Sequence, residues 1–212
     1  MYIHGYMQEL RLRESLPPMA QIDVSFSDMR DQGLCFLVDA LLEMKTGLLV
    51  LKAAKANLTE KSGETLRLFL QECNDLEELW LGGNRVAAKG LALICDGLSE
   101  HPNMELLDIS SCEIGAPGGM ELGALLARNK TLKIVDCSWN LLSGEDSRAL
   151  LEYLCLNTTV EEFRASWNSF GKAALKELKV LHAERKGPAS AISPSSFYEL
   201  DLRNCGDMSL SK

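Results

Sequence analysis

Leu76-Glu77-Glu78-Leu79-Trp80-Leu81-Gly82-Gly83-Asn84-Arg85-Val86 is the stretch that decides the fold. It has the form L-x-x-L-x-L-x-x-N-x-L. The same frame returns from Met104 to Ile114, from Leu132 to Leu142 and from Val160 to Phe170. Weaker copies begin at Met19, Leu48 and Phe197. The starts at 19, 48, 76, 104, 132, 160 and 197 make the repeat close to 28 residues until the last step, which is longer. Frame positions one, four and six are apolar in all seven copies. With apolar residues at 46% of the chain, such agreement has a chance probability of roughly ten to the minus seven before allowing for the search.

Between the frames a second pattern repeats. Leu37/Leu41, Leu66/Leu70, Ile94/Leu98, Leu122/Leu126 and Leu150/Leu154 are pairs four residues apart, which places both side chains on one helical face. Each unit therefore reads as a short strand followed by a helix of about three turns. Gly33, Gly63, Gly90 and Gly118 fall near the strand-to-helix turn, where a residue without Cβ eases a tight bend. One unit alone cannot bury its apolar face, whereas stacked neighbours share a continuous core.

The 28-residue period, with Asn or Cys at position nine (Asn84, Cys112, Asn140, Asn168, Cys205), resembles the ribonuclease-inhibitor-like leucine-rich repeat family over residues 19–205. That resemblance implies an α/β leucine-rich repeat solenoid, a horseshoe of about seven strand–helix repeats with a parallel sheet inside and helices outside. In such a fold the position-nine side chains hydrogen-bond backbone left unpaired where each strand turns away. Ser27 and Ala56 break that ladder, so the first two repeats are expected to be less regular.

Residues 1–18, with Leu10 and Leu12 in alternation before Pro17-Pro18, read as an N-terminal cap over the first strand, and 19–212 as the repeat domain. The Ser-, Pro- and Ala-rich segment at about 182–196 reads as an insertion loop. After Tyr198-Glu199-Leu200-Asp201-Leu202 only ten residues follow, too few for a further helix. The last strand edge is therefore expected to be covered by a partner or by another copy, the alternatives being that 203–212 folds back over it or that the sequence is part of a longer chain.

Alternation along the strands sends the residues between the leucines onto the concave face. Position five then runs Asp23, Lys52, Trp80, Asp108, Asp136, Arg164, Asp201, and position eight runs Phe26, Lys55, Gly83, Ser111, Trp139, Trp167, Asn204. All three tryptophans fall on this surface, and Trp139 and Trp167 hold equivalent places in adjacent repeats. Aromatic residues concentrate binding energy because they bury much area at little entropic cost. The concave set also carries more acids than bases, a charge balance that steers and holds a basic protein partner. Trp80, Asp108, Asp136, Trp139, Arg164, Trp167, Tyr198 and Asp201 are thus the candidate partner-binding residues.

Whole-chain features limit the alternatives. A formal charge of −8 and a pI near 5.0 argue against a nucleic-acid-binding face and against docking on anionic lipid. No apolar run is long enough to span a bilayer. Seven cysteines without a C-x-x-C pattern signal neither a zinc knuckle nor a dithiol redox site, and they fit free thiols in a reducing, cytoplasmic compartment. His4, His101 and His182 are too scattered for an acid–base site, and no nucleotide-loop, nucleophile-elbow or metalloprotease motif occurs. Asn129 and Asn157 match the glycosylation sequon, but they read better as helix-end caps.

The expectation is a non-catalytic protein-interaction scaffold without cofactor or metal. Its expected place is cytoplasmic, with a cytoskeletal or ciliary setting included, as a subunit of a larger ciliary, cytoskeletal or ribonucleoprotein assembly. The alternative is a regulator of a small GTPase, because Ran GTPase-activating proteins have a similar repeat.

Overall fold

A computed structural model describes residues 20–45 and 47–171, and beyond these 176, 180, 199–201, 203 and 205. For 144–148, 155, 199 and 200 it describes the backbone alone. The expected cap at 1–18, the insertion at 182–196 and Tyr198 lie outside the described residues.

Strands and helices alternate along the described chain. In order they are β1 (Gln21–Asp23), α1 (Arg30–Met44), β2 (Val50–Lys52), α2 (Ser62–Glu72), β3 (Glu78–Trp80), α3 (Ala87–Leu98), β4 (Leu106–Asp108), α4 (Gly115–Arg128), β5 (Ile134–Asp136), α5 (Gly144–Leu156), β6 (Glu162–Arg164) and β7 (Glu199–Asp201). The seven strands form one parallel sheet in sequence order. Their register puts each frame position beside its counterpart: Ile22, Leu51, Leu79, Leu107, Val135, Phe163 and Leu200 pair in a single row.

From Leu51 to Phe163 that central row is fully buried, as are positions one and six from Leu48 to Ala165. The helices close the other side of the core with the pairs anticipated from the i, i+4 spacing, all ten of which are buried. Each fully buried leucine contributes about 1.5–3 kcal/mol relative to an exposed one. Neighbouring strands lie about 4.8 Å apart and packed helices about 8–10 Å apart. Stacking one of each per repeat therefore forces the sheet to the inside of the bend, and the result is the expected solenoid.

Two side-chain ladders knit the repeats. Asn84 Oδ1 accepts the N–H groups of Ala56 and Leu58, and its Nδ2 donates to the carbonyls of Ala53 and Leu81. Asn140 repeats this with Cys112, Ile114, Ile109 and Cys137, and Asn168 with Asn140, Leu142, Cys137 and Ala165. Cys112 substitutes with a thiol donor to the Leu81 carbonyl. Ala56 has no side-chain group to pass this ladder on. Strand register nevertheless continues unchanged through β1 and β2, because the backbone carries it.

The second ladder follows the helices. Asn129 accepts the N–H groups of Thr131 and Leu132 and donates to the Leu98 carbonyl one repeat away. Asn157 does the same with Thr159, Val160 and Leu126. These are the caps read from the sequence, and they also bridge repeats. His101 holds the equivalent frame position. Its Nδ1 accepts the Asn103 and Met104 N–H groups while Nε2 faces the Cys73 carbonyl at 3.0 Å. Accepting at Nδ1 places the ring proton on Nε2 and keeps the imidazole neutral.

The glycine reading is corrected. Gly33, Gly63, Gly90 and Gly118 lie inside the first turn or so of their helices rather than in the preceding bend. For Gly63 the reason is space: a Cβ there would come within 2.8 Å of the Gly90 Cα.

Candidate protein-binding face

Two parallel rows define the exposed inner surface. The first is position five, the last residue of each strand, where the pairing register sets Asp23, Lys52, Trp80, Asp108, Asp136, Arg164 and Asp201 side by side. Five of the eight candidate residues, Trp80, Asp108, Asp136, Arg164 and Asp201, are therefore contiguous along the sheet.

The aspartates of this row have a structural task too. Asp23, Asp108, Asp136 and Asp201 each accept the backbone N–H two residues ahead, at Ser25, Ser110, Ser138 and Arg203. That contact turns the chain out of the strand. Burial raises the Asp108 carboxyl above its ordinary range; hydrogen bonds from Ser110 oppose this, and the neighbouring Asp136 charge adds to it. Asp201 is the reverse case, held low chiefly by its hydrogen bond from the Arg203 guanidinium. Arg164 is braced by Glu162 and lies 4.0 Å from Asp136. Trp80 is half-buried, its indole N–H donates to Glu78, and the Lys52 ammonium sits 5.3 Å from its ring.

The second row is position eight, and here the alternation argument needs correction. Each strand is three residues long, so alternation ends at position five, and position eight lies in the turn beyond. Phe26, Lys55, Gly83, Ser111, Trp139 and Trp167 all have left-handed backbone, with φ from 51° to 77°. Trp139 and Trp167 are exposed as expected, 54% and 40%, but they project from the rim of the sheet, not from its face. Their rings stack at 4.2 Å between centroids and 12° between planes. Leu141, two residues after Trp139, is 64% exposed and also left-handed. At the other end of the rim Lys55 lies 5.3 Å from the Phe26 ring. Neither Phe26 nor Lys55 is among the candidates read from the sequence, although both share the frame position that selected the tryptophans.

Buried thiols add little chemistry. Burial pushes Cys112 up to about 12 and Cys137 well above the ordinary thiol range, so neither is a ready thiolate. Among the described residues no group of three or more His, Cys, Asp and Glu side chains is arranged to hold a metal ion, and no helix is long and apolar enough to cross a membrane.

Known proteins resemble this chain in sequence, and one solved structure resembles it in fold. Residues 100–123 match a family model described as Leucine Rich repeat. Mouse ribonuclease inhibitor is 29% identical over 67% of this chain and 31% of its own length. Mouse NACHT, LRR and PYD domains-containing protein 4E is 26% identical over 69% of this chain and 15% of its own length. The Arabidopsis thaliana RAN GTPase-activating protein 2 is 24% identical over 60% of this chain and 24% of its own length. The chain thus spans less than a third of each of these relatives. A solved structure of the leiomodin-1 actin-binding site 2 shares the fold, with a TM-score of 0.50 at 15% identity over 85% of this chain and 87% of the other.

Proposed function

This chain belongs to the leucine-rich repeat family in its ribonuclease-inhibitor-like form, and on that premise we propose that it is a non-catalytic scaffold that captures a protein partner on its inner face and rim. The observation that carries this reading is the Trp139–Trp167 stack. A left-handed backbone costs a non-glycine residue roughly 1–2 kcal/mol, and glycine or asparagine suits it best. At this position the chain places two exposed indoles instead, which adds strain and apolar surface without filling a core. Partner contact accounts for the exposed apolar surface; the left-handed conformation itself is common to position eight of the described repeats.

The partner presents a basic surface to the row Asp108–Asp136 and an apolar one to the tryptophans. Arg164 and Asp201 then set register, because each charge meets only a complementary neighbour. Tyr198, next to β7, belongs to the same proposed interface. The setting is cytoplasmic, in keeping with free buried thiols, and the chain acts as a subunit of a larger assembly of ciliary, cytoskeletal or ribonucleoprotein type.

Affinity capture from native extract with the chain and its Trp139→Ala/Trp167→Ala variant, followed by mass spectrometry, tests the reading. A partner lost with the variant at an unchanged melting curve supports it. A partner retained by the folded variant refutes it.

A second reading, regulation of a small GTPase, is favoured by the likeness to the Arabidopsis thaliana protein. Accelerated GTP hydrolysis by a small GTPase mixed with this chain is its test.

A further inference from the structure

We infer that the β2 end of the inner face is a second docking point of opposite sign, built around Lys52 and Lys55 to receive a carboxylate-rich segment of a protein partner. The inference rests on the scaffold reading above and gives the partner an orientation.

Sign and order carry it. In a chain of net charge −8, neither lysine ammonium forms an ion pair with a described carboxylate, whereas Lys133, Arg164 and Arg203 of the same face all do. Both are held in place. Lys52 lies over the Trp80 indole and Lys55 over the Phe26 ring, each at 5.3 Å from the centroid. The Lys55 stem lies against Gly83, where a Cβ would come within 2.6 Å of Lys55 Cγ. Gly83 therefore leaves room for the lysine stem.

A ring face takes one side of an ammonium and leaves N–H donors free for an anion. Asp23 is lowered first by its hydrogen bonds from Ser25 and least by the Lys52 charge. Along the position-five row the surface thus runs from cationic at Lys52, through Trp80, to anionic at Asp108 and Asp136. Two to three strand spacings separate these, about 10–14 Å. A partner segment with acidic side chains at one end and basic ones at that distance fits in one direction only.

The test uses isotope-labelled chain at low salt and two synthetic peptides, one glutamate-rich and one lysine-rich, read by amide and indole N–H resonances. The glutamate-rich peptide is expected to shift residues 52–55, 80–83 and the Trp80 indole. Lys52→Glu/Lys55→Glu should abolish that response while leaving the melting temperature and the lysine-rich peptide's shifts at Asp108, Asp136, Trp139 and Trp167 unchanged. No shift at 52–55, or an equal shift in the folded double variant, overturns the inference. An oligouridylate acting on the same resonances at lower concentration than the peptide also overturns it. Failure of the lysine-rich peptide alone counts against the scaffold reading, not against this docking point.

Discussion

Trp139 and Trp167, one repeat apart, stack with centroids 4.2 Å from each other on backbones that both have positive φ. Stacked pairs contribute about 0.5–1.5 kcal/mol, comparable to what the backbone conformation costs. Stability alone therefore gives little reason for two indoles here, and binding gives one. Replacing Trp139 by glycine should leave the chain about 1 kcal/mol more stable than replacing it by alanine, since only glycine relieves the left-handed strain. Both variants should lose the partner. Denaturant melts of the pair, set beside capture yields, check the prediction.

Asp108 points the same way. It is a carboxylate that burial and Asp136 both discourage from ionising. An asparagine side chain in its place would be a neutral acceptor for the Ser110 N–H, so Asp108→Asn should raise the melting temperature at pH 7 by about 1–3 °C. It should also weaken a basic partner's association rate and flatten its salt dependence.

His101 predicts an acid sensitivity with a definite sign. Burial lowers its pKa from the ordinary 6.5, opposed only by the Cys73 carbonyl, so the fold favours the neutral ring. As the pH falls below about 6.5 the unfolded chain binds a proton that the folded chain resists. Stability should therefore be full above that value, decline as the pH drops toward the lowered folded pKa, and level off beneath it. The denaturant midpoint measured from pH 7.5 to 5 reads this out. His101→Asn, which copies Asn129 and Asn157, should fold well and remove that component.

Asn140 bridges two adjacent repeats through the N–H groups of Cys112 and Ile114 and the carbonyls of Ile109 and Cys137. Asn140→Ala leaves the Cys112 and Ile114 N–H groups and the Ile109 carbonyl without this partner, while Cys137 keeps Asn168, at about 1–3 kcal/mol for each unsatisfied group. We expect a loss of about 3 kcal/mol or more by equilibrium unfolding. The Asn→Asp variant should do little better, since a carboxylate cannot donate to the carbonyls.

The periodic part of the fold was legible because burial imposes it. Leu79, Leu107 and Val135 had to recur at one frame position, and so did the donors and acceptors of Asn84, Asn140 and Asn168. The alignment of Trp80, Asp108, Asp136 and Arg164 along the sheet was legible for the same reason, a shared register. What failed was the extrapolation of alternation past a three-residue strand, which placed Trp139 and Trp167 on the face instead of the rim. Backbone handedness at position eight leaves a trace only at Gly83, one residue among several that do not advertise it. Contacts between repeats were equally hidden. Nothing in the letters distinguishes Gly63, pressed on the Gly90 backbone, from a glycine needed for a turn, and His101, legible as a helix-end cap before Pro102, gives no sign in the letters of its contact with Cys73 one repeat away.

The central claim, that the partner sits on the inner face and rim, is tested most directly by site-specific photo-crosslinking in native extract. A crosslinking residue placed at Trp167 or Asp136 should label one partner in common, while the same residue at the exposed helical positions Leu68 or Met120 should not. Labelling from 68 or 120 with none from 136 or 167 would contradict the account.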